Sequence, residues 1–117
     1  MQNYKDLKVW EKAHLFTLLT YEATKRFPKE ELYCLTSQLR RSAASIPANI
    51  AEGCGKKTNP EFAHYLNIAL GSSNESEYYL LLSKDLKYLP DEKYYELNKL
   101  INEVKSMLIA LINKVRA

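Results

Sequence analysis

The sequence contains few of the residues that interrupt or cross-link a chain: 117 residues include three glycines, four prolines and two cysteines. With 46% hydrophobic residues, this composition excludes an intrinsically disordered chain and indicates an ordinary globular domain. No apolar run approaches the roughly 18 residues that a membrane-spanning helix needs. The stretch from Met1 to Trp10 carries charges where a signal peptide would be apolar, so we expect a cytoplasmic location and no membrane partner.

The two cysteines, Cys34 and Cys54, are expected in one helix. At a rise of about 1.5 Å per residue, that helix would hold them about 30 Å apart. A disulfide cannot close over such a distance. We therefore predict two free thiols, as is typical of a reducing compartment.

Hydrophobic periodicity predicts four helices within a single domain, residues 1–117. The first is expected from about Lys5 to Phe27, with an inward stripe of six residues: Leu7, Trp10, His14, Thr17, Tyr21 and Thr24. Other apolar residues of this helix lie largely outside the stripe, namely Leu15, Phe16, Leu18 and Leu19. We therefore expect something besides the core to cover the first helix.

The second helix is predicted from about Glu30 to Gly53 on a seven-residue hydrophobic repeat. Pro47 lies inside it and removes one backbone hydrogen bond, which predicts a bend, with two shorter helices as the alternative.

The third helix is expected to open with Asn59 as its cap and to run to about Tyr88. Its small inner positions should let a neighbouring helix come close: Ala69, Gly71, Ser72, Ser73 and Ser76. The fourth helix is strongly amphipathic and follows Asp91, which is predicted to be its cap. Because the connections are short, the expected fold class is all-α, an antiparallel up-down-up-down four-helix bundle.

This topology would bring seven basic side chains to one end, here called the basic pole: Lys5, Lys8, Lys12, Lys56, Lys57, Lys114 and Arg116. Only four acidic residues are expected at that end, which leaves it an excess of three positive charges. Each phosphate that a cation neutralises releases counterions, so the basic pole is a candidate surface for RNA or DNA. A solvated rim of lysines is the alternative.

A polar stripe follows the second helix at spacings of three and four: Gln38, Arg41, Ser45, Asn49 and Glu52. It borders a core stripe and several alanines, which favours a hydrogen-bonded contact with another helix or subunit. Exposure to solvent, or a ligand or nucleic-acid surface, is left open.

Two Glu-x-x-His pairs, Glu11 with His14 and Glu61 with His64, form half the ligand pattern of di-iron carboxylate bundles. Glu52 would supply a ligand from the second helix, but the end of the fourth helix offers no acid. A metal-binding bundle enzyme on these five residues is therefore the weaker alternative. No motif for a catalytic residue or a cofactor is found, and we predict that the protein is not an enzyme.

Some segments are more specific than periodicity: Asp6-Leu7-Lys8-Val9-Trp10, Phe27-Pro28, the run from Gln38 to Gly53 (QLRRSAASIPANIAEG), and Gly71-Ser72. Over roughly residues 6–112 the chain resembles the four-helix-bundle proteins encoded in intervening sequences of bacterial 23S ribosomal RNA genes. The resemblance implies a bundle that assembles into a five-fold ring and has no catalytic residues. That family is similar to accessory proteins of diversity-generating retroelements, which bind nucleic acid and a reverse transcriptase. The chain departs from the family at Ser73-Asn74, where an apolar residue is usual, and this departure questions the close packing of the third helix.

Together these observations predict a homo-oligomer, a pentamer on the family resemblance, that binds RNA or DNA or acts as a scaffold. A protein-protein adaptor without a nucleic-acid role is the remaining alternative.

Overall fold

The computed structural model describes residues 2–117, which form four α-helices and two short 3-10 helices. The α-helices are α1 (Lys8–Thr24), α2 (Leu35–Cys54), α3 (Asn59–Asp85) and α4 (Asp91–Arg116); the 3-10 helices are Tyr4–Asp6 and Lys29–Glu31. Residues 2–117 contain no strand, and none of their helices is both long and apolar enough to cross a membrane. The predicted all-α class is confirmed.

Hydrogen bonds between α2 and α3 show that these helices are antiparallel. Ser42 is bonded to Ser76 and Ser45 to Ser72, at 2.8 and 2.9 Å between hydroxyl oxygens. The residue number therefore rises along α2 as it falls along α3.

The other helix pairs complete the bundle. Thr17 of α1 contacts the backbone of α2 at Ala43, and Thr24 accepts a hydrogen bond from Arg40, so α1 and α2 are also antiparallel. The α4 helix packs against both α1 and α3, whereas α1 and α3 lie diagonally opposite each other. This is the up-down-up-down arrangement that short connections produce.

The inward face of α1 differs from the predicted stripe. Its buried residues are Val9, Ala13, Phe16, Thr20 and Thr24, whereas His14 and Tyr21 of the predicted stripe are exposed. Phe16, expected outside the core, is fully buried. The rest of the stripe faces the bundle: Thr24 is buried, Leu7 and Trp10 pack against the core, and Thr17 contacts α2. The stripe was wrong at His14 and Tyr21 because α1 is apolar around most of its circumference, so spacing alone does not select a face.

The second helix begins later than predicted, at Leu35. Cys34 has backbone angles of φ −124° and ψ −106°, which lie outside the helical region. The side chain of Glu31 accepts a hydrogen bond from the backbone N–H of Leu35 at 3.3 Å, and its other carboxylate oxygen accepts one from Tyr88 at 3.0 Å. Cys34 is thus an exposed residue before the helix, while Cys54 is buried at its end, and both are free thiols as predicted.

The α2 helix continues through Pro47 as one element, so the alternative of two shorter helices is wrong. Proline has no N–H, and the carbonyl of Ala43 therefore loses its partner four residues ahead. The hydroxyl of Thr17 in α1 lies 3.0 Å from that carbonyl oxygen and 3.0 Å from the carbonyl oxygen of Ala13 in its own helix, so its one hydrogen is shared between the two acceptors. A neighbouring helix thus satisfies the acceptor that Pro47 leaves open. The bend at Pro47 stays a prediction.

Small residues bring α2 and α3 close together. A Cβ added at Gly53 would lie 2.9 Å from side-chain carbons of both Phe62 and Tyr65, too close for an ordinary contact. Ser73 is fully buried and donates to the carbonyl of Ala69 at 2.9 Å, so close packing is kept despite the departure from the family pattern. Gly71, predicted to face inward, is instead exposed and has no heavy atom within 4 Å of an added Cβ.

Two predicted caps are replaced by neighbouring residues. Thr58, not Asn59, caps α3: its hydroxyl accepts from the backbone N–H of Glu61 at 3.3 Å and lies 2.9 Å from the Glu61 carboxylate. Asp91 is the first residue of α4 and not its cap.

The α3 helix ends at Asp85, earlier than predicted, and Lys87 follows in the left-handed region with φ 64°.

Candidate nucleic-acid contact surface

A cleft of about 390 Å³ lies at the basic pole, where the N-terminal segment, the connection from α2 to α3 and the end of α4 meet. Lys56, Lys57 and Lys114 line it, together with Thr58 and Asn59 from the start of α3. No acidic side chain among residues 2–117 contributes to its lining. The structure therefore brings together cations from two distant parts of the sequence, as the predicted topology required.

The floor of the cleft is apolar. Leu7, Phe62, Leu111 and Val115 line it, and Cys54 lies among them. Cys54 is 4% exposed, and burial raises the pKa of its thiol. The cleft thus combines a basic, polar rim with an apolar floor. Residues of the N-terminal segment, α2, α3 and α4 contribute to this floor.

Six residues of the basic pole form no ion pair with any part of residues 2–117: Lys5, Lys8, Lys56, Lys57, Lys114 and Arg116. Two of them lie near tyrosine rings: Lys56 is 5.2 Å from the ring centre of Tyr65, and Lys5 is 5.9 Å from that of Tyr4. Cation–π contacts leave the positive charge uncompensated, because the ring carries no net charge. The pole therefore presents open positive charge.

Lys12 behaves differently from the rest of the basic pole. Its ammonium nitrogen lies 2.7 Å from a carboxylate oxygen of Glu103, which links α1 to α4. This hydrogen bond, and the charge of Lys12, hold the pKa of Glu103 below its ordinary value. Lys12 is therefore engaged within the bundle and is a poor candidate for contacts with phosphate.

The polar stripe of α2 lies mainly along the seam with α3. Ser45 is bonded to Ser72, and the side-chain amide of Asn49 donates to the carbonyl and the hydroxyl of Ser45 at 2.8 and 2.9 Å. These contacts place Ser45 and Asn49 in a hydrogen-bonded helix interface. Glu52 is exposed.

Arg41 of the same stripe contacts side chains of both α2 and α3. It donates to the side chain of Gln38 at 3.1 Å and forms an ion pair with Glu75 of α3. Tyr79 donates to the same carboxylate at 3.1 Å; burial and this contact with Glu75 raise the pKa of Tyr79. The contacts of the stripe thus favour the interhelix interpretation over a free ligand surface.

The five residues proposed for the metal alternative do not come together in the described part of the chain. Among residues 2–117, no three histidine, cysteine or acidic side chains lie close enough to share an ion. All five proposed ligands are exposed: Glu11, His14, Glu52, Glu61 and His64. His14 stacks on Trp10 with ring centres 5.0 Å apart. Di-iron bundles need ligands that project into the core, and these residues point away from it.

The cleft was not predicted from the sequence, although its lysines were. Leu7, Leu111 and Val115 have the spacing of ordinary core residues, and no pattern on a single helix distinguishes the floor of a cleft from the interior of a bundle. The doublet Lys56-Lys57 after the glycine turn was the one local signal of this site.

The fold and the site define a small four-helix-bundle protein with a basic, cleft-bearing end. The model of the 23S rRNA-intervening sequence protein family matches residues 5–110, and the chain belongs to that family. It is similar to a crystal structure of a protein with unknown function from the S23 ribosomal protein family of Bacteroides thetaiotaomicron. The two are 31% identical, with a TM-score of 0.81, over 89% of this chain and 97% of that one. Among curated proteins, none matches this sequence.

Proposed function

We propose that this protein is a non-enzymatic homo-oligomer, five copies on the family resemblance, that binds nucleic acid through its basic pole. The observation that carries the proposal is the cluster of unpaired cations around a cleft without a carboxylate. Elsewhere, Arg41 and Lys105 are neutralised by Glu75 and Glu77. Within residues 2–117, Arg26, Lys29 and Lys99 also form no ion pair, so what sets the pole apart is that several unpaired lysines surround one cleft whose lining has no carboxylate.

Open cations suit a polyanion because contact with each phosphate releases condensed counterions and so contributes salt-dependent affinity. In a homo-oligomer that points its basic poles to one side, the patch is repeated in every copy. A polymer that spans several copies would then gain affinity from multiple contacts.

Exposed apolar residues on α1 support the assembly. Leu15, Leu18 and Tyr21 are 46%, 54% and 43% exposed and lie on adjacent turns. The diagonal helix α3 exposes Ile68 and Tyr78 on another side of the bundle. Contacts between two different faces generate closed rings when the rotation between copies closes.

The binding test is fluorescence anisotropy with labelled RNA and DNA between about 50 and 200 mM salt. The pole variant is Lys56→Gln/Lys57→Gln/Lys114→Gln, and the matched control is Arg26→Gln/Lys29→Gln/Lys99→Gln, whose residues are exposed outside the pole. We expect the pole variant to lose about tenfold or more in affinity and to show a shallower salt dependence, whereas the control keeps both.

An equal loss in both variants would show that only net charge matters and would overturn the role of the pole. If the wild-type protein fails to bind at about 50 mM salt, the nucleic-acid function is wrong. A protein partner that survives nuclease treatment would then favour the adaptor.

A further inference from the structure

We infer that the cleft at the basic pole holds one unpaired nucleotide, with its base on the apolar floor and the adjacent phosphates on the lysine rim. This inference rests on the proposed function and specifies it: the preferred ligand is a single strand or an unpaired end, not a duplex. It follows from the shape and the chemistry of the cleft, whereas the proposed function needs only the charge of the pole.

The floor is suited to a flat apolar group. Leu7, Leu111 and Val115 are half-buried, Phe62 is 9% exposed, and all four line the cleft. Lysines alone do not require a cleft, because they would bind phosphate equally well on a convex surface. An apolar floor gains free energy only when apolar surface covers it.

The size of the cleft agrees with one nucleotide. Its volume of about 390 Å³ lies in the lower part of the range of about 300–1,000 Å³ typical of small-molecule sites. Asn59 at its edge is exposed, and its side-chain amide offers one donor and one acceptor group for the edge of a base.

A duplex would leave the floor unfilled. The faces of its bases are stacked on one another, and its phosphates point outward. The lysines would therefore contact phosphates, while the apolar floor would remain in contact with water. An unpaired base need not break a base pair, and it leaves its neighbours at a lower cost than a base in a duplex. Single strands therefore gain a contact that a duplex cannot make.

Another cleft of the bundle lacks this combination. It has a volume of about 280 Å³ and is lined by Leu19, Arg26, Tyr88 and Lys93, but the carboxylate of Glu22 also lines it. An acid at the wall repels phosphate. A cleft of about 430 Å³ lined by Leu32, Tyr33, Arg40 and Arg41 also has no acid from the described residues in its lining, but Arg41 is neutralised there by Glu75. The cleft at the basic pole differs from both because, among residues 2–117, its lysines are unpaired and no carboxylate lines it.

The test compares a labelled single-stranded RNA with a blunt RNA duplex that has the same number of phosphates, at about 100 mM salt. Val115→Gln removes an apolar group from the floor without changing charge, and Leu7→Gln does so from another element. Ile109→Gln is the matched control, because Ile109 is an exposed apolar residue of the same helix as Val115 and lies outside the cleft. Circular dichroism checks that each variant folds.

We expect the wild-type protein to bind the single strand about tenfold or more tightly than the duplex. Either floor variant should lose most of this preference and keep its duplex affinity, while Ile109→Gln changes neither. Equal affinity of the wild type for single strand and duplex, with both dependent on Lys56, Lys57 and Lys114, would overturn the inference and leave the proposed function standing. Unchanged preference in both floor variants would also overturn it. Absence of binding to either RNA would overturn both.

Discussion

The hydroxyl of Thr17 lies 3.0 Å from the carbonyl oxygen of Ala43, the acceptor that Pro47 leaves without a helical donor. A proline inside a helix is ordinarily costly because it removes a hydrogen bond and crowds the preceding turn. Here the hydroxyl of Thr17 on α1, shared with the carbonyl of Ala13 at 3.0 Å, supplies a donor to Ala43, and α2 remains one helix from Leu35 to Cys54. A side chain on one helix thus permits a proline on the next.

This relationship predicts that the two sites are coupled. Thr17→Val keeps the shape but removes the donor, and we expect it to lower the free energy of unfolding by about 1–3 kcal/mol. In a Pro47→Ala background the alanine N–H can bond to Ala43, so the cost of Thr17→Val should fall below about 1 kcal/mol. Urea unfolding of the four proteins measures the coupling; the same cost in both backgrounds would disprove it.

Two glycines are predicted to respond oppositely to alanine. Gly53→Ala would place a Cβ 2.9 Å from Phe62 and Tyr65, so it should force α2 and α3 apart and cost about 1–3 kcal/mol. At Gly71 there is open space for an added Cβ. Gly71→Ala should therefore stabilise α3 by about 0.5–1 kcal/mol, because alanine has less backbone freedom than glycine to lose when the chain folds. Thermal unfolding at one protein concentration compares them, with wild type as the reference. Destabilisation by Gly71→Ala would contradict the prediction and indicate that another copy covers this position.

The ion pair between Glu77 and Lys105 predicts a pH dependence of stability. Lys105 lies 2.8 Å from the carboxylate and holds the pKa of Glu77 below its ordinary value, a shift that burial opposes and Asn102 reinforces. Because the folded pKa is lowered, the stabilisation is present above the ordinary value of about 4.3 and is lost as the pH falls through the folded pKa.

Lys105→Gln should therefore destabilise the protein by about 0.5–1 kcal/mol at pH 7, a modest value because solvent reaches both side chains. The difference from wild type should shrink below about pH 4. Urea titrations across this pH range measure it. Lys25→Gln is the control: Lys25 forms a more exposed pair with Glu22 at 3.0 Å, and its removal should change little at any pH. A difference for Lys105→Gln that is independent of pH would contradict the assignment.

The exposed face of α1 predicts a variant that dissociates the proposed oligomer. Leu18→Glu places a charge where a neighbouring copy would cover an apolar side chain, and we expect sedimentation velocity to show monomers with unchanged helix content. Leu86→Glu is the control, since Leu86 has a similar exposure and lies outside α1, directly after the last residue of α3. Wild-type protein that sediments as a monomer would refute the assembly. If both variants dissociate the oligomer, the prediction that the exposed face of α1 forms the contact between copies is contradicted.

The sequence alone was sufficient for the four helices, their order and the charge of one pole. Regular hydrophobic spacing and short connections are local signals, and they can be read from the sequence without knowing which residues are in contact. The run from Gln38 to Gly53 was specific enough to indicate the family. Helix ends were less accurate: a 3-10 helix, Lys29–Glu31, precedes α2, and the side chain of Glu31 accepts a hydrogen bond from the backbone N–H of Leu35.

Tertiary structure alone decided which face of α1 enters the core, which glycine is crowded and what Thr17 bonds to. An amphipathic pattern describes one helix, but these properties depend on the rotation and axial register of two helices against each other. Phe16 is buried and His14 exposed because α2 and α4 meet α1 on that side, which no spacing on α1 encodes. The apolar floor beneath the lysines has the same origin, since its residues come from segments that only packing brings together.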